Sequence, residues 1–238
     1  ALVAVSAVQF QTGLRMPVEA MAKLCHRHGA QLFVDGIQAV GAVPVDARTV
    51  DYLAVGSHKW LMGLEGCGFL YIHPERIGAL RPRLAGWLSH QDGLGFLFDG
   101  AGHLRYDRPI LQQARFLESG TYNSVGFAAL LASASVIKSI GITNIFGHVT
   151  EDLDRLEAGL QDLGFTSLRA KDPAARSAIL SMSPPSGVDL ISLSESINAR
   201  GVAVTIPDGL LRLAPHWPNA LAEVPLVCAA VDEALRSP

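Results

Sequence analysis

Two short runs carry residue types suited to chemistry on a carbonyl: Asp35-Gly-Ile-Gln38-Ala-Val-Gly41, and Gly56-Ser57-His58-Lys59-Trp60-Leu61-Met62-Gly63. A lysine amine attacks a carbonyl only when neutral, and burial beside other positive groups favours the neutral form of an amine. Lys59 follows Ser57-His58 and precedes a glycine-rich turn at Gly63, Gly66 and Gly68. That places it at the end of an element rather than inside one. Asp35 supplies the complement, a carboxylate able to hold a proton on a ring nitrogen. Lysine for an imine and an acid for a pyridinium is the pairing that a pyridoxal phosphate site demands.

The elements around these runs predict where they stand. Residues 1–8 are apolar and rich in Val, the pattern of a buried strand. Pro17 opens a helix with Val18, Met21, Ala22 and Cys25 on one face and Gly29 at its close. Residues 32–34 read as a second strand ending at Asp35-Gly36, residues 51–55 as a third, and residues 68–72 as a fourth stopped by Pro74. Strand, helix, strand, connection, strand predicts an α/β fold with a mainly parallel sheet. The short link from the third to the fourth strand also allows an antiparallel pair. Asp35 and Lys59 then follow the carboxyl ends of neighbouring strands, where ligands gather in open α/β sheets.

From 77 to 121 the periodicity fades into Gly-rich, aromatic loops of the kind that cover a surface or an interface. Residues 125–140 and 144–163 read as helices whose apolar stripes, the second at Ile145, Val149, Leu153, Leu156 and Leu160, belong to a core. Beyond Gly164 come strand-like stretches at 165–168, 178–182, 202–205 and 209–213. Helices are expected at 190–199 and 221–235, the last with Pro225 in its first turn. The expected organisation is a partial large, sheet-bearing domain over 1–140 with its loop-rich interface segment. A bridging helix and a small α+β domain follow over 141–238.

Nearly end to end, and most specifically over VDGIQAVGAVPVD…VDYLAVGSHKWLMGLEGCGFLYI, the sequence resembles the class V aminotransferase group of pyridoxal-phosphate enzymes, fold type I. That group includes small-substrate aminotransferases, cysteine desulfurases, selenocysteine lyases and isopenicillin N epimerase-like proteins. The resemblance implies pyridoxal 5'-phosphate as cofactor, with Lys59 as its Schiff-base amine and Asp35 on the pyridine nitrogen. It further implies Gln38 on the phenolic oxygen, and His58 with Ser57 on the phosphate. Glu118-Ser-Gly-Thr121-Tyr-Asn resembles the family segment that crosses a dimer interface, so Thr121 is implied on the other copy's phosphate. Leu210-Leu-Arg212-Leu-Ala-Pro-His-Trp-Pro-Asn219 resembles the strand whose arginine grips the substrate carboxylate. A guanidinium fork suits that bidentate task. The implied protein is a homodimeric aminotransferase taking an amino acid or keto acid, with lyase or epimerase chemistry as the alternative.

Departures from the pattern narrow the reading. The run before Arg212 is short and has no cysteine, which disfavours persulfide chemistry. Gly56 stands where the family often has a small polar residue, and Ala7 where several relatives place a polar one. The sequence opens Ala-Leu-Val-Ala-Val without the family's first strands, phosphate loop and ring-stacking residue, so a truncated member is expected. An inactive copy serving only as a binding or dimerising module is the alternative of another class. A nucleotide-binding domain is set aside, because no Gly-x-Gly-x-x-Gly follows a strand.

Each site residue also has an ordinary structural reading. Asp35 can form a turn before Gly36, His58 can be a satisfied structural histidine, Thr121 can be turn chemistry, and Arg212 can pair with Glu223.

Composition bounds the rest. Apolar residues at 49% against 17% charged fit a compact chain rather than a disordered one. A net charge of −3 argues against a nucleic-acid footprint. The longest apolar stretch, 125–137, is too short to span a bilayer, and no secretory signal is visible, so a cytoplasmic protein without membrane or nucleic-acid partners is expected. Cys25, Cys67 and Cys228 are too scattered for a disulfide framework or a zinc site. His26 and His28, two apart, cannot share a helix face as metal ligands.

Overall fold

The computed structural model describes residues 1–105 and 107–236, without the side chain of Phe96. A four-stranded sheet runs in the order β1 (Leu2–Ser6), β2 (Gln31–Asp35), β3 (Tyr52–Gly56), β4 (Gly68–Ile72). The first three strands are parallel; β4 is antiparallel to β3, with Gly56 opposite Gly68. The connection between β3 and β4 is too short for a helical crossover, so the pair closes as a hairpin. Helix α1 (Val18–Arg27) returns the chain from β1 to β2, buries Ala22 and Cys25, and ends at Gly29 with φ +64.

Side-chain alternation divides the sheet. Leu32 and Val34 of β2, with Leu53 and Val55 of β3, point into the core. Gln31, Phe33 and Asp35, with Tyr52, Ala54 and Gly56, form a half-buried face on which Phe33 and Tyr52 rings lie 6.4 Å apart. Short helices α2 (Pro74–Ile77) and α3 (Gly95–Phe98) interrupt the long loop region.

Helices α4 (Ser124–Ile140) and α5 (Ile142–Asp162) meet at Gly141, where φ is +88, and are bent by 79°. The Asn123 side chain caps α4 by accepting from the Gly126 N–H at 3.0 Å. On α5 the expected stripe is core: Ile145, Val149, Leu153, Leu156 and Leu160 are all buried. The stripe on α4 is not. Only Gly126 and Ile137 are buried there, while Val125 and Leu131 are 71% and 70% exposed. An apolar period identifies a face that avoids water, not the surface that covers it. Among the described residues no single helix is long and apolar enough to cross a membrane.

The second sheet is antiparallel, ordered β5 (Thr166–Ser167), β6 (Leu180–Ser183), β7 (Leu211–Leu213), and it packs with α5, α6 (Leu190–Ala199) and α7 (Val224–Arg236). Residues 202–205 do not form the expected strand; a single bridge joins Thr205 to Arg212. A short 3-10 turn at Pro207–Gly209, with Asp208 at φ +51, ends that pairing. The two sheets share one continuous set of buried side chains, from Leu32 and Val34 through Ile145 to Leu180 and Leu211. The segment after β1 stitches them together. Ser177 donates its hydroxyl to the Gly13 carbonyl at 2.6 Å, and Ser181 donates to that of Gln11. Gly13, at φ +72, lies so near β6 that a Cβ would sit 2.5 Å from the Ile179 oxygen.

Candidate active site

Lys59 stands in the hairpin turn after β3, and Ser57 holds that turn shut. The Ser57 N–H donates to the Cys67 carbonyl at 3.0 Å, its carbonyl accepts from the Gly63 N–H at 2.8 Å, and its hydroxyl donates to the Leu64 carbonyl at 2.5 Å. Ser57 is fully buried. In this arrangement its hydroxyl serves the turn, the ordinary structural use of such a serine, beside the phosphate role that the resemblance implies. His58 is exposed, with its ring against Gly56. A Cβ on Gly56 would meet the tip of Ile37 at 3.0 Å and the His58 ring at 3.3 Å, a tight fit that those two side chains could relieve by small shifts.

Lys59 is half-buried and lines a cavity of about 340 Å³ with Phe10, Gln38, Trp60, Arg212, Ala214 and His216. Gln38 is buried, and its Oε1 accepts from Trp60 Nε1 at 3.3 Å, which leaves the Gln38 amide N–H groups as donors. Phe10 contributes a ring 5.8 Å from Lys59 Nζ and 4.6 Å from Arg212 Cζ. Amine and guanidinium, sharing one ring, are therefore no more than about 10 Å apart.

Arg212, at the centre of β7, is 9% exposed. Its Nε donates to the Phe10 carbonyl at 2.9 Å. Among the described residues no acid pairs with it; Glu223 instead accepts from the Asn219 side-chain amide at 3.1 Å, so the ion-pair reading is not realised. Burial holds the Arg212 pKa below its ordinary value, yet a guanidinium keeps its proton at any physiological pH. The result is a buried cation whose two terminal nitrogens have no hydrogen-bond partner among the described residues.

Asp35 ends β2 half-buried, and its Oδ1 accepts from the Ile37 N–H at 3.0 Å, the turn-forming role that Asp-Gly suggests. Its Oδ2 has no hydrogen-bond partner among the described residues. Asp35, His58 and Thr121 do not line the cavity with Lys59. Thr121 is exposed in the segment leading to α4. Two larger hollows, about 930 and 610 Å³, include neither Lys59 nor Arg212, and in the larger one Lys23 and Arg48 are paired with Glu19 and Asp46. No group of three metal-ligating side chains occurs among the described residues.

Sequence reasoning missed Phe10 and His216. His216 Nε2 lies 3.0 Å from the Trp60 carbonyl oxygen, and its ring stacks on Trp60 at 5.1 Å between centroids. Burial lowers its pKa, against the opposing pull of the Trp60 carbonyl bond. Phe10 left one sequence signal, an aromatic in a polar loop just after a strand.

The profile of the Aminotransferase class-V family matches residues 1–210. The chain belongs to the class-V aminotransferase family. Members of this family depend on pyridoxal phosphate. The class-V chain is 29% identical to the uncharacterized aminotransferase YcbU of Bacillus subtilis, over 94% of its own length and 56% of that protein. It is 28% identical to the isopenicillin N epimerase of Amycolatopsis lactamdurans, over 96% of its length and 58% of that protein. The apo structure of a cysteine desulfurase from Thermococcus onnurineus superposes with a TM-score of 0.84 at 26% identity, covering 98% of this chain and 59% of that one. The architecture is therefore that of fold type I pyridoxal-phosphate enzymes, and the chain spans less than two thirds of the length of each of these class-V relatives.

Proposed function

We propose that this chain carries the lysine and the carboxylate-binding side of a pyridoxal-phosphate enzyme that acts on an α-amino acid, with transamination as its outcome. One observation carries the reading: an amine, Lys59, and a buried guanidinium without an acidic partner, Arg212, share one cavity of about 340 Å³. The residues present suit the cofactor. Lys59 would hold its aldehyde carbon, Gln38 its ring oxygen through a free amide N–H, and Asp35 its ring nitrogen through Oδ2. His58 and the Thr121 of a second copy would meet its phosphate. Bound pyridoxal phosphate supplies an electron-withdrawing ring that stabilises negative charge on the substrate Cα.

The chain's own residues do the remaining work. Arg212, with Nε committed to Phe10, presents Nη1 and Nη2 as a fork to the substrate carboxylate. That grip orients the substrate so that its Cα–H faces Lys59, whose Nζ takes and returns the proton. The Phe10 ring covers apolar substrate surface and keeps water from the amine. Among the described residues no cysteine lines the cavity, which speaks against persulfide transfer. Two-base epimerisation would need a second acid opposite Lys59, and His216 is already engaged at both ring nitrogens.

The test adds pyridoxal phosphate, records the visible spectrum, reduces with borohydride and maps the modified peptide. A pyridoxyl label on Lys59, lost in Lys59→Ala, followed by amino transfer from an amino acid to a keto acid, is expected. Labelling spread evenly over Lys23, Lys138 and Lys171 as well as Lys59 would overturn the reading in favour of a binding or dimerising module.

A further inference from the structure

We infer that His216 is a positioning residue: it ties the peptide carbonyl next to Lys59 to the loop that follows Arg212, and so sets the separation of amine and guanidinium. The inference rests on the reading of Lys59 and Arg212 given above. Those two side chains belong to different sheets, Lys59 to the hairpin turn of the first and Arg212 to β7 of the second. Their relative placement has to be fixed by contacts across the cavity.

His216 is built for one such contact. The Trp217 N–H points at Nδ1 at 2.9 Å, so Nδ1 accepts and the ring proton resides on Nε2. Nε2 in turn faces the Trp60 carbonyl oxygen at 3.0 Å and donates to it. A protonated ring would set a second N–H against that of Trp217, so the geometry favours the neutral ring, as burial does. Both ends of this strut are anchored. On the far side, the His216 N–H donates to Asn219 Oδ1 at 2.9 Å, and the Asn219 N–H donates to the His216 carbonyl at 2.9 Å. Asn219 is itself held by Glu223 at 3.1 Å and, through its carbonyl, by His148 on α5 at 2.8 Å. On the near side, Trp60 is buried and bonded to Gln38, and its peptide lies directly over the Cα of Gly41. Neither partner can drift to meet the other if the ring is removed.

The test uses the full chain loaded with pyridoxal phosphate and compares its spectral response to alanine with that to ethylamine, the same amine without a carboxylate. Because a misplacement of about 1 Å can cost ~100-fold, His216→Ala is expected to lower the alanine-over-ethylamine preference at least ~10-fold. General damage would slow both amines alike. His216→Gln, whose amide N–H replaces Nε2, restores the preference; His216→Asn, which mimics only Nδ1, does not. Hydrogen exchange in residues 57–63 rises in His216→Ala while β1 and β2 stay protected, and nitrogen NMR finds the proton on Nε2. An unchanged preference in His216→Ala, equal behaviour of the Gln and Asn variants, or a proton on Nδ1 would overturn the inference. Arg212→Lys separates the two levels: if it leaves the alanine preference intact, the carboxylate-clamp reading fails. The exchange and tautomer measurements still decide His216 in that case.

Discussion

Gly41 offers a direct probe of how Lys59 is held. It lies at φ +98, and a Cβ there would stand 2.6 Å from the Trp60 carbonyl oxygen and 2.7 Å from its carbon. Both are backbone atoms, so no side chain can rotate aside. Ordinary contact at 3.4 Å requires a shift of about 0.8 Å in the Trp60–Leu61 peptide, one residue beyond Lys59. Two costs follow for Gly41→Ala: about 1–2 kcal/mol for a side chain in left-handed backbone, and ~1–3 kcal/mol for overpacking. Gly29→Ala is the matched control, since Gly29 has φ +64 with open space around its Cα and so meets only the first cost. Urea unfolding of both variants should separate them by ~1–3 kcal/mol, and the rate of pyridoxyl labelling at Lys59 should fall in Gly41→Ala alone. Equal stabilities, with wild-type labelling in both, would refute the claim that Gly41 backs the lysine turn.

Asp51 and the α4 surface give two further tests. Buried Asp51 accepts from the Leu32 N–H at 2.7 Å, His26 at 2.8 Å and Arg76 at 2.5 Å; burial alone would raise its pKa, but these bonds and the Arg76 charge hold it below the ordinary carboxylate value. Asp51→Asn, which strands a partly exposed Arg76, should cost ~2 kcal/mol at neutral pH. Because the folded pKa is depressed, this advantage is full above the unfolded value near ~4 and disappears as pH falls through the folded one, which urea melts across pH 2–7 would measure. Leu131→Lys, on the exposed side of α4, should leave the unfolding midpoint within ~0.5 kcal/mol of wild type while raising the solubility limit read by light scattering.

Much of the fold was legible because strand and helix periods are set by local geometry. The short link left the β3–β4 pairing open between parallel and antiparallel, and the structure takes the antiparallel one, whereas the buried stripe of α5 followed from residue spacing. What failed depended on partners distant in sequence. The 125–140 stripe has the same apolar period as a core helix, but its neighbours in this chain do not cover it. Three of residues 202–205 are β-branched and the run is strand-like, yet Pro207 and Asp208 turn the chain before a ladder can form. Arg212 was legible by type and Phe10 was not, because a ring earns its place in the cavity only through a fold that sets it against Lys59 and Arg212. His216 escaped for a similar reason, since searching histidines for metal spacing overlooks one whose partner is a backbone carbonyl.

The two halves of the cavity also differ in how far the chain must reach to make them. The lysine turn is closed by the pairing of Gly56 with Gly68, twelve positions apart, whereas the contact of Arg212 with Phe10 closes a loop of 202. Closure entropy grows by about 0.6 kcal/mol per doubling of loop length, a handicap of roughly 2.5 kcal/mol for the longer loop. The amine can therefore be in place in partly folded forms that have not yet gathered the guanidinium. On the proposed reading of Lys59 and Arg212, such forms would present a lysine that reacts with carbonyl compounds without selecting for a carboxylate, and chemical selectivity would be a late product of folding.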